Sequence, residues 1–426
     1  MLQSQVFAKT TKETPKEEIS ANAQFLIRAG FVDKLMAGVY SYLPLGFKVL
    51  KKIENIIRQE MEEIGGQEIL LPSLHPKNLW EKTDRWKYEE MFKLKSRSGK
   101  DLGLGWTHEE IVVPLLKKFV KSYKDLPVFV YQIQDKFRDE LRAKSGLLRG
   151  VEFLMKDLYS FHKDEKDLDA YYEKVKKAYF RIFERCGIKK ETFLTLAAGG
   201  TFSKYSHEFQ TVTEAGEDVI YLCPKCRLAV NKEIIEEENY ACPSCHNKKL
   251  EIRKAIETGN IFKLKEKFSE TFDFKIKNKD GKESAVLMGC YGIGLGRLMG
   301  AVAEVHHDEK GIIWPEEIAP FKVHLIAIPA SGQAGQDKKM DSRKITVAAE
   351  KIYRDLQKSG LEVLYDDRDK NPAEKFADAD LIGLPYRIIV SQRTLRENCL
   401  EVKKRKEKKA GLLKIKELNS YFRKNS

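Results

Sequence analysis

The residues best equipped for chemistry in this 426-residue sequence lie together: Phe137-Arg138-Asp139-Glu140, then Arg142, Lys144 and Arg149, then Glu152-Phe153. The stretch reads as two strands joined by a basic, glycine-containing loop. Side chains alternate faces along a strand, so Arg138 and Glu140 are expected to point the same way. A guanidinium beside a carboxylate can grip an anionic group and, next to it, an amine. The loop cations suit a polyphosphate tail. The plain alternative is a hairpin carrying a surface ion pair.

Three further clusters carry chemistry. Thr107-His108-Glu109-Glu110 precedes an apolar run, and Thr-x-x-Glu there predicts a capping box formed by Thr107 and Glu110. That leaves Glu109 free, and a carboxylate buried at a helix start needs a cation, expected to be an ammonium group from outside. Gly289-Cys290-Tyr291-Gly292-Ile293-Gly294-Leu295-Gly296-Arg297 reads as a glycine-rich turn into a helix, where an anion would be welcome and Arg297 adds fixed charge. The spacing does not match the dinucleotide fingerprint, and a tight packing turn is the alternative. Cys223, Cys226, Cys242 and Cys245 form C-x2-C-x15-C-x2-C, a spacing that closes a tetrahedron around zinc with no coordination position left open, hence a structural site. The alternative is four reduced thiols.

Around these clusters the sequence predicts the elements that must position them. An amphipathic helix follows Leu43-Pro44-Leu45-Gly46 and stops at Gly65-Gly66; Glu68 to Pro72 reads as a short strand. Strands are expected at 129–137 and 151–161, and a helix capped by Asp164 runs to about Cys186, closed by Gly187. After Trp314-Pro315 the pattern changes to alternating strand and helix, a separate small α/β domain with its boundary near Ala319-Pro320. Its run Lys403-Lys404-Arg405-Lys406-Glu407-Lys408-Lys409 is either a solvated helix face or a phosphate contact.

Composition bounds the partners. The formal charge of +13 favours an anionic partner, nucleic acid first. No apolar run approaches the roughly 20 residues of a membrane span, and the opening residues lack the apolar stretch of a secretory signal, so a cytoplasmic protein with no membrane contact is expected.

Taken together the motifs resemble the prolyl-tRNA synthetases of bacterial type, within the class II aminoacyl-tRNA synthetases, over nearly the whole chain. Gly38 to Pro72 looks like class motif 1, 137–161 like motif 2 and 288–301 like motif 3. Gly199-Gly200-Thr201-Phe202-Ser203, Ser206-His207-Glu208-Phe209-Gln210 and Asp366-Asp367-Arg368 look like blocks specific to the proline enzymes.

The resemblance implies an α+β fold: an antiparallel class II sheet flanked by helices over 1–318, a small zinc-ribbon-like insertion at 221–250, and a C-terminal α/β anticodon-binding domain over 319–426. It implies ligation of L-proline to tRNA(Pro) with ATP and Mg2+, through a prolyl-adenylate, in a homodimer. By the resemblance, Thr107 and Glu109 hold the imino group, Arg138 the carboxylate and α-phosphate, and His207, Phe161 and Cys290 wall the prolyl pocket. Glu140 and Phe153 meet the adenine, Gln210 and Thr211 lie along the nucleotide, and Arg149 and Arg297 hold the outer phosphates.

The chain departs from the family at Val151, where an arginine is usual. It also lacks room between motifs 2 and 3 for the large editing domain of many relatives, which leaves alanine errors uncorrected in the chain. Two rivals stand: a threonine or serine enzyme of the same class, and a non-catalytic relative, which would be expected to lose Arg138, Glu140 or Arg297.

Overall fold

The computed structural model describes every residue except Arg142, Lys144, Thr201, Ser203, 329–341 and 425–426, and not the side chain of Lys424. The loop cations Arg142 and Lys144 and the motif residues Thr201 and Ser203 therefore lie outside the described residues. The chain divides into two compact units, one of Met1–Asp33, Ser41–Lys52 and His306–Ser426, the other of Lys34–Tyr40 and Ile53–Val305.

The elements used below are, in chain order, helix α1 (Pro44–Glu63), strand β1 (Gln67–Glu68), helix α2 (Glu109–Phe119), strands β2 (Val128–Phe137) and β3 (Glu152–His162), and helix α3 (Glu165–Arg185). Strands β4 (Thr192–Ala198), β5 (Tyr205–Val212), β6 (Asp218–Leu222), β7 (Ala229–Asn231), β8 (Glu251–Lys265) and β9 (Leu287–Gly294) follow, then helix α4 (Leu295–Val305). The last are β10 (Val323–Ile328), α5 (Ser342–Lys358), β11 (Val363–Asp366), α6 (Pro372–Ile382), β12 (Tyr386–Ser391), β13 (Cys399–Lys404) and β14 (Gly411–Lys414).

A nine-stranded sheet, ordered β5-β4-β7-β6-β8-β9-β3-β2-β1, forms the larger unit, and β5 also pairs with β8. Five strands thus close into a ring, and the long strand β8 leads from the ring into the rest of the sheet. Helix α3 lies on one face. It starts because the Asp164 side chain accepts from the Asp167 N–H at 2.8 Å, and it ends before Gly187, whose φ of +84° suits glycine. Its buried Leu168, Tyr171, Tyr172, Val175, Tyr179 and Ile182 recur at three- and four-residue steps. Burial of each such side chain contributes roughly 1.5–3 kcal/mol.

The α+β expectation holds, with three local differences. The predicted strand at Glu68 to Pro72 shrinks to Gln67–Glu68. The glycine-rich stretch is not a turn: Leu287–Gly294 is a full strand between β8 and β3. Glycine is needed there for close packing, since a Cβ at Gly289 would sit 2.1 Å from the Tyr291 hydroxyl and one at Gly292 2.8 Å from Asn260 Oδ1. The cysteine segment, expected as an insertion at 221–250 within the catalytic domain, also supplies a sheet strand, β7, buried between β4 and β6.

In the other unit β11-β10-β12-β13-β14 form a sheet, parallel at β11-β10-β12 and antiparallel beyond, over a core that includes Val323, Leu325, Ile352, Leu356 and Ile388. The basic run at Lys403–Lys409 is strand end and turn, not a helix face. Its Arg405 is buried and forms a two-pronged pair with Asp308 at 2.8 and 2.6 Å, so this cation is spent within the fold. The pair pulls Asp308 down to about 2.

Candidate active site

The β2–β3 hairpin is in register with Phe137 opposite Glu152, and the Arg138 N–H adds one more bond, to Val151 O at 2.8 Å. Arg138 and Glu140 lie just past the end of β2, so strand alternation does not aim them; the turn does. Both nevertheless line one cavity of about 250 Å³, with Arg149, Asp218, Glu257 and Arg297. Arg138 stands over the Phe153 ring at 5.3 Å, and its buried Nε has no partner among the described residues. Burial and then the facing Arg297 lower its pKa, while Glu257, Glu140 and Glu109 act the other way. A cation held short of compensation is a receptor for an anion.

The neighbours of this arginine are fixed. Arg297 donates from Nε to Leu148 O at 2.8 Å and from Nη1 to Glu257 at 2.9 and 3.0 Å. Arg149 holds Glu140 at 2.8 and 2.7 Å and reaches Glu217 at 3.2 Å. Val151, where an arginine was expected from the family, packs beside Gly38: its N–H donates to Gly38 O at 2.8 Å, and a Cβ on Gly38 would meet that nitrogen at 2.8 Å.

Strand register sorts the remaining residues. Val130, Tyr159, Cys290 and Phe262 form one cross-strand row, and Gln132, Asp157, Gly292, Asn260 and Glu208 form the next row on the same face. Phe161, two residues from Tyr159, shares that face and is fully buried. Tyr131, Leu158, Tyr291, Ile261 and His207 form a row on the opposite face, which α3 covers. His207 accordingly meets Tyr172 of α3 at 2.8 Å, and burial lowers it to about 4. It does not share a wall with Cys290; Glu208 takes the site-facing position.

Gln210 is buried beside the cavity and donates to Glu208 at 2.9 Å and Asp218 at 2.7 Å. Thr211 is turned away, its hydroxyl bonded to Thr192 at 2.9 Å and Thr258 at 3.0 Å inside the sheet. Burial, then the charges of Glu257 and Asp218, push Glu208 up to about 8.

At the start of α2 the predicted capping box is absent. His108 is the N-cap, with no side-chain cap bond, and Glu110 is drawn instead to Arg85 at 2.8 and 3.1 Å and to Thr83 at 2.8 Å. The Thr107 hydroxyl is left buried and without a partner among the described residues, which costs about 1–3 kcal/mol unless a ligand fills it. Glu109 is buried; its Oε1 accepts from Cys290 Sγ at 3.1 Å and its Oε2 faces Arg85 Nη1 at 3.4 Å. Its charge is felt by Arg138, which thus adjoins both the carboxylate end and the cavity.

The cysteine spacing is matched in space. The four sulfur atoms all lie within 4.8 Å of one another, with Cys223–Cys245 at 3.5 Å, Cys226–Cys242 at 3.4 Å and Cys226–Cys245 at 3.7 Å. Tetrahedral zinc with bonds of about 2.3 Å needs sulfurs roughly 3.8 Å apart, so the donor set fits. Each pair sits on a turn closed by a backbone bond, Arg227 N–H to Cys223 O at 2.9 Å and His246 N–H to Cys242 O at 2.8 Å.

Sequence reasoning missed Arg85, Asp218, Glu257 and Tyr159. Only Tyr159 left a signal, lying two residues from Asp157 and Phe161 on an alternating strand.

A largely antiparallel sheet whose β2–β3 hairpin leads into an arginine with its Nε unpartnered among the described residues, and whose glycine strand leads into a helix bearing a second arginine, has the make-up of a class II aminoacyl-tRNA synthetase. The model of the tRNA synthetase class II core domain (G, H, P, S and T) matches residues 92–306, and that of the anticodon binding domain matches residues 326–425. A proline–tRNA ligase of Wolbachia pipientis wMel is 40% identical over 435 aligned positions, covering 98% of this chain and 99% of that protein. One from Citrifermentans bemidjiense is 32% identical, covering 98% and 97%. The chain belongs to the proline–tRNA ligase family, as an enzyme of class II. The second alignment runs over 569 positions although this chain has 426 residues, so a long stretch of that relative has no counterpart here. The fold matches Giardia lamblia prolyl-tRNA synthetase in complex with prolyl-adenylate (TM-score 0.77, 23% identity, 94% of this chain and 75% of that one). It also matches the Cryptosporidium parvum enzyme complexed with halofuginone and AMPPNP (TM-score 0.77, 17% identity, 95% and 76%).

Proposed function

We propose that the chain charges tRNA(Pro) in two steps at the Arg138 cavity. A carboxylate oxygen of L-proline attacks the α-phosphorus of ATP, a C–O–P bond forms, and pyrophosphate leaves. A terminal ribose hydroxyl of the tRNA then attacks the prolyl carbonyl, and AMP leaves. The observation that carries this reading is Arg138, half-enclosed over Phe153, with its Nε unpartnered among the described residues and charged groups lining the same cavity. It would hold two anions that repel each other and neutralise charge growing at phosphorus. Glu109 and the orphaned Thr107 hydroxyl would take the imino group, with Cys290 and Phe161 lining the ring's pocket. Arg297 and Arg149 would hold the outer phosphates, and Glu140 and Phe153 the adenine end. Magnesium, when bound with ATP, supplies charge neutralisation between the phosphates; the Glu257 and Asp218 carboxylates offer hard oxygen ligands for it.

The four thiolates would hold a structural zinc. Residues 319–426 would bind the anticodon, and residues 1–318 would carry the catalysis. No helix among the described residues is long and apolar enough to cross a membrane; with a tRNA substrate, this supports action in the cytoplasm. Exposed Leu35 and Met36, just before the motif 1 segment, support a homodimer in which they are covered.

Selectivity for proline would rest on shape, and a hydrophobic pocket rejects a smaller side chain by only about 1–3 kcal/mol. With no counterpart of the relatives' long extra stretch, the chain would release alanine errors uncorrected. ATP–pyrophosphate exchange with each of the twenty amino acids tests the assignment. Proline should dominate and alanine should give a weaker signal at high concentration. Exchange stimulated by threonine or serine instead would refute the reading.

A further inference from the structure

Arg85 is fully enclosed and belongs to no motif. Its guanidinium carbon lies 5.2 Å from the Trp80 ring, 4.9 Å from Trp106, 5.1 Å from Phe202 and 5.5 Å from Phe268. Within this aromatic box one nitrogen, Nη1, serves two buried carboxylates: Glu110 at 2.8 and 3.1 Å, and Glu109 at 3.4 Å. Nε and Nη2 have no partner among the described residues. A guanidinium with five N–H donors that engages only those of one nitrogen among the described residues is placed for its charge and its shape, not for its hydrogen-bond count.

Among the described residues Arg85 is the one cation in hydrogen-bond contact with Glu109 and Glu110, and its single nitrogen Nη1 is shared between the two buried carboxylates. Glu110 is the better partnered of the two, through Arg85 and the Thr83 hydroxyl. Among the described residues Glu109 receives the longer contact to Arg85 and the weak thiol donor of Cys290. The longer contact falls on Glu109, the carboxylate proposed above to take the imino group.

We infer that Arg85 is a positioning residue for substrate selection. Divided between Glu110 at 2.8 Å and Glu109 at 3.4 Å, it aims the Glu109 carboxylate without closing on it, so that the subsite favours a protonated amine over a neutral group. Glu110 is part of the device, because it draws the guanidinium away from Glu109 and leaves that carboxylate open. This rests on the reading of Glu109 as the imino-group partner.

The shared guanidinium gives an unusual mutational pattern. Glu110→Gln removes one negative charge, frees Arg85 to close on Glu109, and makes an internal cation compete with proline. The KM for proline should rise about tenfold, the effect of roughly one charge-assisted contact, while the KM for ATP stays within about twofold. Arg85→Met should also raise the proline KM. The double variant Arg85→Met/Glu110→Gln restores a single negative charge, so its proline KM should fall back below that of Glu110→Gln, a coupling opposite in sign to two independent losses.

Proline-dependent pyrophosphate exchange on the full chain reads all of these. An unchanged proline KM in Glu110→Gln, or a double variant worse than both single ones, overturns the inference. Glu110→Gln preserves shape and decides even where the methionine variants do not fold. Glu109→Gln separates the two layers. If it leaves the proline KM unchanged, the imino-group reading fails. If it abolishes proline binding while Glu110→Gln is silent, only the role of Arg85 fails.

Discussion

Arg138 differs from its neighbours in what it has not been given. Arg297 is oriented by Leu148 and Glu257, and Arg149 by Glu140 and Glu217. Arg138→Ala should therefore lower the rate of proline-dependent pyrophosphate exchange by about 10²–10³-fold, the usual cost of one donor aimed at developing charge. Arg149→Ala, at the rim, should mainly raise the KM for ATP. Equal effects of the two on turnover would remove Arg138 from the chemistry. Arg138, Arg297 and Glu109 were legible in the sequence because each sits in a short segment where residue types constrain one another. Arg85 was not, because its partners are Trp106, Glu109 and Phe268, far along the chain, and no local spacing announces an aromatic box. His207 was legible as a motif residue but not as to its face. Both faces of β5 are covered, so alternation alone does not tell which one carries the substrate.

At the scale of elements, the hairpin β2–β3, helix α3 and its caps were readable from alternation, from Asp164 and from Gly187. The glycine strand was misread as a turn, because glycine signals conformational freedom and close packing alike, and only the Tyr291 and Asn260 side chains decide between them. The four cysteines were legible by spacing as a cluster that could hold a metal; that the segment's β7 would fill a gap in the main sheet was not, since three residues carry no periodicity. The chain as purified should contain about one zinc per chain. Cys242→Ser should lose that metal on dialysis and become sensitive to protease within 223–250, measured by metal analysis and limited digestion. Retention of full metal by the serine variant would count against the four-thiolate site.

The whole molecule carries several buried histidines whose proton affinity the fold suppresses. Burial first of all lowers His75, His207 and His324 to about 4 and His108 to about 3. Between about pH 6.5 and pH 4 the unfolded chain binds protons there that the folded chain does not, so stability falls as pH falls through that window and is recovered above it. The urea midpoint should drop steadily from pH 7 to pH 5, and a flat profile would show that these rings titrate in the folded state. Charge tells the same story of internal use: the +13 excess does point to an anionic partner, yet Arg405, in the most basic run, is neutralised by Asp308.

The ring of strands β5-β4-β7-β6-β8 has one small link, Ala229–Asn231, which belongs to the cysteine module. Leu222 and Glu251 are cross-strand partners, so the module leaves and re-enters the sheet at adjacent points. A shortcut joining those two residues looks harmless on paper. It would nonetheless open the ring and bare the facing edges of β4 and β6 to any passing strand. A miniaturised version of the enzyme made that way would be prone to stick to itself before it lost its chemistry.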